Sequence, residues 1–175
     1  HALHKQPAGA GVVLVKGIHI VVRPMSAGAP ASTLQGSDGR IVFMIPYERD
    51  YTLIGTTDVP FADDPAGVSI SADETRYLCR TVSDYLRREI QPSEVVWSYA
   101  GIRPLYDDGA SDPSAITRDY TLVLSGEKDD APLLTVYGGK ITTSRRLAED
   151  AVDKLDRALG QPRHAWTRDA PLPGG

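Results

Sequence analysis

The stretch LLTVYGGKITTSRRL, residues 133–147, decides how the chain is read. A short apolar run of β-type residues, 133–137, meets the pair Gly138 and Gly139. Lys140, Thr142 and Thr143 follow, and apolar residues then recur at helical spacing through Leu147, Ala151, Val152, Leu155 and Leu159. The pattern predicts a strand, a tight turn and a helix over about 143–159, with Gly160 as its stop and Pro162 beyond. Adjacent glycines permit positive φ and let a ligand approach the main chain closely. Thr142 and Thr143 are N-cap candidates. Free N–H groups and the positive dipole end at a helix start favour an anion or a polarised oxygen, and Lys140 adds a full charge there. An ordinary strand-to-helix connection with a solvated lysine has the same sequence signature.

Outward from this stretch, composition narrows the classes. The chain has 175 residues, 41% of them hydrophobic, enough for one good core or two small ones. A net charge of -4 excludes a general nucleic-acid or membrane-surface role by charge, so any anion site is a local cluster acting against the global sign. The single cysteine, Cys79, excludes an internal disulfide and a cysteine-rich zinc site; it falls in a predicted helix, as a buried inert thiol would. No apolar run reaches ~18 residues. The chain opens on His1 and closes on Leu172-Pro173-Gly174-Gly175, and the expectation is a fragment of a longer protein.

Residues 1–11 read as a connector. Gly9 and Gly11 give G-x-G, but Leu14 stands where a dinucleotide fingerprint needs its third glycine. Strands are predicted at 12–15, 17–22, 31–35, 40–45 and 51–56, an antiparallel meander with short turns, with Pro46 at a strand end or an edge. A helix over 71–88 starts with capping-box spacing at Ser71 and Glu74. Further strands are predicted at 95–100 and 116–124. Many strands, one helix, strands and one helix make an α+β chain: a mainly antiparallel sheet domain over 12–124 with flanking helices, then a strand-GG-helix piece over 132–175 that needs another sheet to sit on.

Arg103, Arg118 and Lys140 stand beside predicted strand ends or turns rather than on a solvated helix face. Arginine suits bidentate binding of phosphate or carboxylate, and lysine adds a point charge. Gly101 and Pro104 flank Arg103 and predict a rigid setting, although pairing with Asp107 or Asp108 is open, as is pairing of Arg118 with Asp119. His19 is the histidine inside a strand; it is either a proton-transfer group or a satisfied core histidine. His1, His4 and His164 read as loop residues. Asp107-Asp108 and Asp129-Asp130 read as solvated charges, and no spacing supports a metal site. Ser144 has no G-x-S-x-G around it. The residues alone lead to an α/β-type chain that binds an anionic small molecule.

Five runs carry a family resemblance: KGIHIVV, RIVFMIPYERDYTLIGTTD, VWSYAGIRPLYDD, AITRDYTL and LLTVYGGKITTSRRLAE. In order and near-matching spacing, they resemble the flavin-dependent glycerol-3-phosphate dehydrogenases of respiratory metabolism. The resemblance implies a substrate-binding cap followed by the last part of an FAD-binding, amino-acid-oxidase-like domain whose N-terminal part, with its fingerprint, is missing. It implies oxidation of sn-glycerol 3-phosphate to dihydroxyacetone phosphate, with FAD as cofactor and a quinone as electron acceptor. It also implies a cytoplasmic protein, peripheral on the inner face of the membrane, and an inactive isolated fragment. By matching motif, His19 and Arg103 look like catalytic residues, and Arg103, Arg118 and Lys140 like substrate ligands. Gly138, Gly139, Lys140, Ile141 and Thr142 look like flavin contacts. An amino-acid or amine oxidase of the same architecture, and a non-catalytic anion-binding domain, are the alternatives.

Overall fold

A computed structural model describes residues 11–25, 30–109, 115–126, 131–161 and 163–171. The expected connector, apart from Gly11, lies outside the described residues, as do Asp129, Asp130 and Pro162. The elements run β1 (Val12–Val22), β2 (Ser32–Gln35), β3 (Ile41–Tyr47), β4 (Tyr51–Gly55), β5 (Val59–Pro60), α1 (Ala72–Ser83), β6 (Val95–Tyr106), β7 (Thr121–Ser125), β8 (Leu133–Tyr137) and α2 (Ser144–Ala158). The expected α+β class is what the chain adopts. Two compact units divide it, one of Leu14–Arg103 and one of His1–Val13 with Pro104–Gly175.

In the first unit the sheet order is β2-β3-β4-β1-β5, and β6 also pairs with β1. The pairs β2–β3, β3–β4, β4–β1 and β1–β5 are all antiparallel. Pro46 pairs with Thr52 of β4, while the β2–β3 ladder stops at Met44, so the proline sits where β3 has no second neighbour. The two runs expected at 12–15 and 17–22 form one strand, because Lys16 continues the extended chain between them.

Strand alternation sends Ile18, Ile20 and Val22 to the core side of β1, where they cluster with Val42, Ile54 and, from α1, Leu78, Cys79 and Val82. The thiol of Cys79 is buried, as the sequence predicts. Ser71 caps α1 by the expected box: its hydroxyl accepts from Glu74 N at 3.1 Å, and the Glu74 carboxylate accepts from Ser71 N at 2.7 Å. The same carboxylate accepts from Lys16 Nζ at 2.8 Å, tying the helix start to β1.

The helix ends at Ser83, not at residue 88. Ser83 Oγ donates to Cys79 O at 2.7 Å and accepts from Ile90 N at 2.8 Å. That side chain substitutes for the next helical turn and folds Ile90 into the core.

Strand β6 runs to Tyr106 instead of ending near 100, so GIRPL is strand rather than turn. In the second unit β7 begins at Thr121, not 116, and pairs with β8 from Thr121↔Tyr137 to Ser125↔Leu133. Residues 115–120 make local bonds that compete with a ladder: Asp108 Oδ2 accepts from Thr117 N at 2.8 Å, Thr117 Oγ1 from Asp119 N at 3.2 Å, and Ile116 O from Arg118 Nη1 at 2.9 Å. Helix α2 forms over nearly the expected span, but none of its residues is buried.

Candidate functional site

The face of β1 opposite the core carries Gly17, His19 and Val21, and β6 runs beside it. Arg103 of β6 lies across Gly17. A Cβ on Gly17 would stand 2.7 Å from both Cζ and Nη2 of Arg103, so the guanidinium occupies space that any side chain there would fill. Nη1 donates to Asp58 Oδ1 at 3.3 Å and Nη2 to Thr56 Oγ1 at 3.4 Å. Both acceptors come from the GTTD segment that leaves β4. The guanidinium side chain is 35% exposed, and these two bonds are long. A fork with five N–H donors therefore keeps capacity for a bidentate anion.

His19 is placed by the same device. It stands opposite Gly55 of β4, where a Cβ would meet the imidazole Cγ and the carbonyl oxygen of Ile18, each at 2.7 Å. On its other side the ring stacks on Tyr99 at 4.8 Å between centroids with an interplanar angle of 8°. Burial first, and the Arg103 charge second, hold the imidazole below its ordinary value of 6.5. His19 is thus a neutral acceptor at neutral pH, beside a fixed cation.

The sequence points to Gly101 and Pro104 as the setting of Arg103, and the structure corrects this. A Cβ on Gly101 would meet open space, and the guanidinium is held by Gly17, Thr56 and Asp58. It forms an ion pair with Asp58 at 3.3 Å. Gly17, Gly55, Thr56, Asp58 and Tyr99 are absent from the sequence-derived site. The available signal was a glycine inside each of two strands, which often marks a close approach.

The other predicted residues lie in the second unit. Gly138 and Gly139 both have positive φ, 69° and 94°, as the glycine pair predicts. A Cβ on Gly138 would stand 3.1 Å from Asp119 O, and one on Gly139 3.4 Å from Tyr120 Cβ and 3.0 Å from Leu147 Cδ1. The turn therefore packs on the TRDY segment that carries Arg118 and on α2. Tyr120 fastens the same segment by donating to Asp150 Oδ2 at 2.5 Å.

Thr143 occupies the N-cap of α2, but its hydroxyl donates back to Lys140 O at 3.0 Å instead of accepting from the helix. A 3-10 turn, Ile141–Thr143, comes between the glycines and the helix. Lys140, Ile141 and Thr142 are exposed there, Ile141 to 91%. An exposed segment leading from the glycine pair into a helix start suits an anion or a polarised oxygen.

Residues 2–145 match the family described as FAD dependent oxidoreductase. The chain belongs to this family of FAD-dependent oxidoreductases. It is 47% identical to a glycerol-3-phosphate dehydrogenase of Pseudomonas aeruginosa, over 98% of this chain and 33% of that protein. It is 43% identical to a D-erythritol 1-phosphate dehydrogenase of Brucella abortus, over 100% of this chain and 35% of that protein. Among solved structures, the glycerol-3-phosphate dehydrogenase from Bacillus halodurans, complexed with FAD, superposes with a TM-score of 0.69 at 30% identity, covering 91% of this chain and 29% of that one. These relatives bear out the resemblance carried by the five sequence runs. The chain spans about a third of the length of the curated relatives it matches.

Proposed function

We propose that this chain is the substrate-binding cap and the last strand and helix of the FAD-binding domain of a dehydrogenase. The whole protein would oxidise sn-glycerol 3-phosphate to dihydroxyacetone phosphate. The observation that carries the reading is the placing of His19 over Gly55 and Arg103 over Gly17, on one face of one sheet. Oxidation of a secondary alcohol removes the hydroxyl proton and the hydride of the same carbon. His19 takes the proton, and its depressed basicity lets it release that proton again near neutral pH. Arg103 binds the substrate anion and stabilises negative charge as it develops on the C2 oxygen. Arg118 and Lys140 add phosphate contacts, and Lys140 also borders the cofactor.

Gly138, Gly139, Ile141 and Thr142 would hold FAD through the exposed turn. FAD, when bound, supplies the two-electron acceptor for the hydride, with a membrane quinone as the final oxidant. The protein would work in the cytoplasm, on the inner face of the membrane. Among the described residues no helix is long and apolar enough to cross a membrane. The isolated 175-residue chain would not turn over, because it spans a third of its relatives' length.

Anaerobic bleaching of the flavin band in the full-length protein tests the substrate class. Bleaching by glycerol 3-phosphate is the expected result. The 43% identity to a D-erythritol 1-phosphate dehydrogenase makes that compound the second one to add. Bleaching by D-erythritol 1-phosphate in preference would keep the site and change the substrate. Bleaching by an amino acid alone would replace the reading with an oxidase. A preparation that binds no flavin would leave an anion-binding domain.

A further inference from the structure

We propose that Gly17 and Asp58 are positioning residues for Arg103: Gly17 is the bare floor on which the guanidinium lies, and Asp58 fixes its rotation in the plane. The inference rests on the reading of Arg103 as the group that binds the substrate anion.

Gly17 lies in the interior of β1, an 11-residue strand that pairs with β4, β5 and β6, where a glycine weakens a strand and a β-branched residue would strengthen it. Its backbone does not call for glycine, since it is not among the residues of positive φ. What calls for glycine is space. The atoms that a Cβ would strike belong to the Arg103 head group, at 2.7 Å for Cζ and Nη2. That head group is the mobile end of a long side chain, so an added methyl would move the guanidinium and leave the sheet in place. The requirement at this position is thus for the location of one charge rather than for the fold.

Asp58 enters from a different element, the segment between β4 and β5, and accepts from Nη1 at 3.3 Å, with Thr56 accepting from Nη2 at 3.4 Å. Two acceptors along one edge set the in-plane orientation of a planar fork. Floor and edge together leave the rest of the guanidinium to face a ligand in one orientation. A displacement on the order of 1 Å at such a group costs about a hundredfold in rate, because productive geometry is that narrow.

The experiment uses the full-length flavin-loaded protein with Gly17→Ala, Asp58→Asn and Asp58→Glu. It combines thermal melting, steady-state kinetics on glycerol 3-phosphate, and a crystal structure of Gly17→Ala. The expected result for Gly17→Ala is an unchanged or raised Tm, a displaced guanidinium and a loss in kcat/KM of about a hundredfold. Asp58→Asn is expected to lose about tenfold in kcat/KM, with partial recovery in Asp58→Glu, which keeps the charge. Arg103 unmoved in Gly17→Ala, with wild-type kinetics in both Gly17→Ala and Asp58→Asn, would overturn the proposal. A lower Tm in Gly17→Ala that accounts for the whole loss would also overturn it, by assigning Gly17 to the fold. If the wild type oxidises no polyol phosphate while the guanidinium still moves in Gly17→Ala, the proposed function fails and the positioning role stands.

Discussion

Helix α1 buries Leu78, Cys79 and Val82 in one cluster with Ile18, Ile20 and Ile54, whereas α2, with an apolar stripe of similar spacing, buries no residue. In α1 the stripe faces a six-stranded sheet; Val152 of α2 and Leu159 at its C-cap stay 53% and 56% exposed, and among the described residues β7 pairs only with β8. Amphipathic spacing therefore states what a helix needs, and the burial that stabilises it depends on the sheet supplied. The two regions also hold their candidate groups differently. His19 and Arg103 are clamped between side chains and bare strand positions, while Lys140 stands exposed on a turn.

The largest expected effect on stability lies in the region with the closed core. Leu78→Ala, at a fully buried position, should destabilise by about 3 kcal/mol, read as a shift in urea midpoint. Next comes Gly55→Ala, at about 2 kcal/mol, because its methyl would meet the Ile18 backbone oxygen as well as the His19 ring. Unlike Gly17→Ala, it should lower stability and activity together. Ser71→Ala removes a cap whose partner also holds Lys16, and about 1 kcal/mol should be lost. At the other end, Val152→Ala on the open stripe of α2 should stay within about 0.5 kcal/mol. A cost there comparable to that of Leu78→Ala would erase the contrast between the helices.

A pH series sharpens the contrast at His19. Its folded value is lowered, so below about 6.5 the unfolded chain takes up the proton more readily than the folded one. Stability should therefore rise with pH up to that point and fall as pH drops below it. His19→Gln should flatten that part of the profile, and an unchanged slope would remove His19 as its cause.

The meander, the capping box at Ser71 and the strand-turn-helix at the glycine pair were legible in the sequence, since each rests on a local pattern. Arg103 and His19 were legible as residue types in particular segments. Their mutual geometry was not, because it depends on cross-strand neighbours: Gly17 and His19 lie two apart on β1, Gly55 lies opposite His19, and Asp58 arrives from 45 residues before Arg103. The end of α1 and the start of β7 depart from the periodicity for a related reason. Ser83 and Thr117 satisfy backbone groups with side-chain bonds that periodicity does not register.

The most direct test of the central claim is the rate at which glycerol 3-phosphate bleaches the flavin without oxygen, compared between the full-length wild type and Arg103→Ala. If Arg103 binds and orients the reacting molecule, the variant should keep its fold and its flavin and lose at least about a hundredfold in rate. Equal rates in the two proteins would contradict the account.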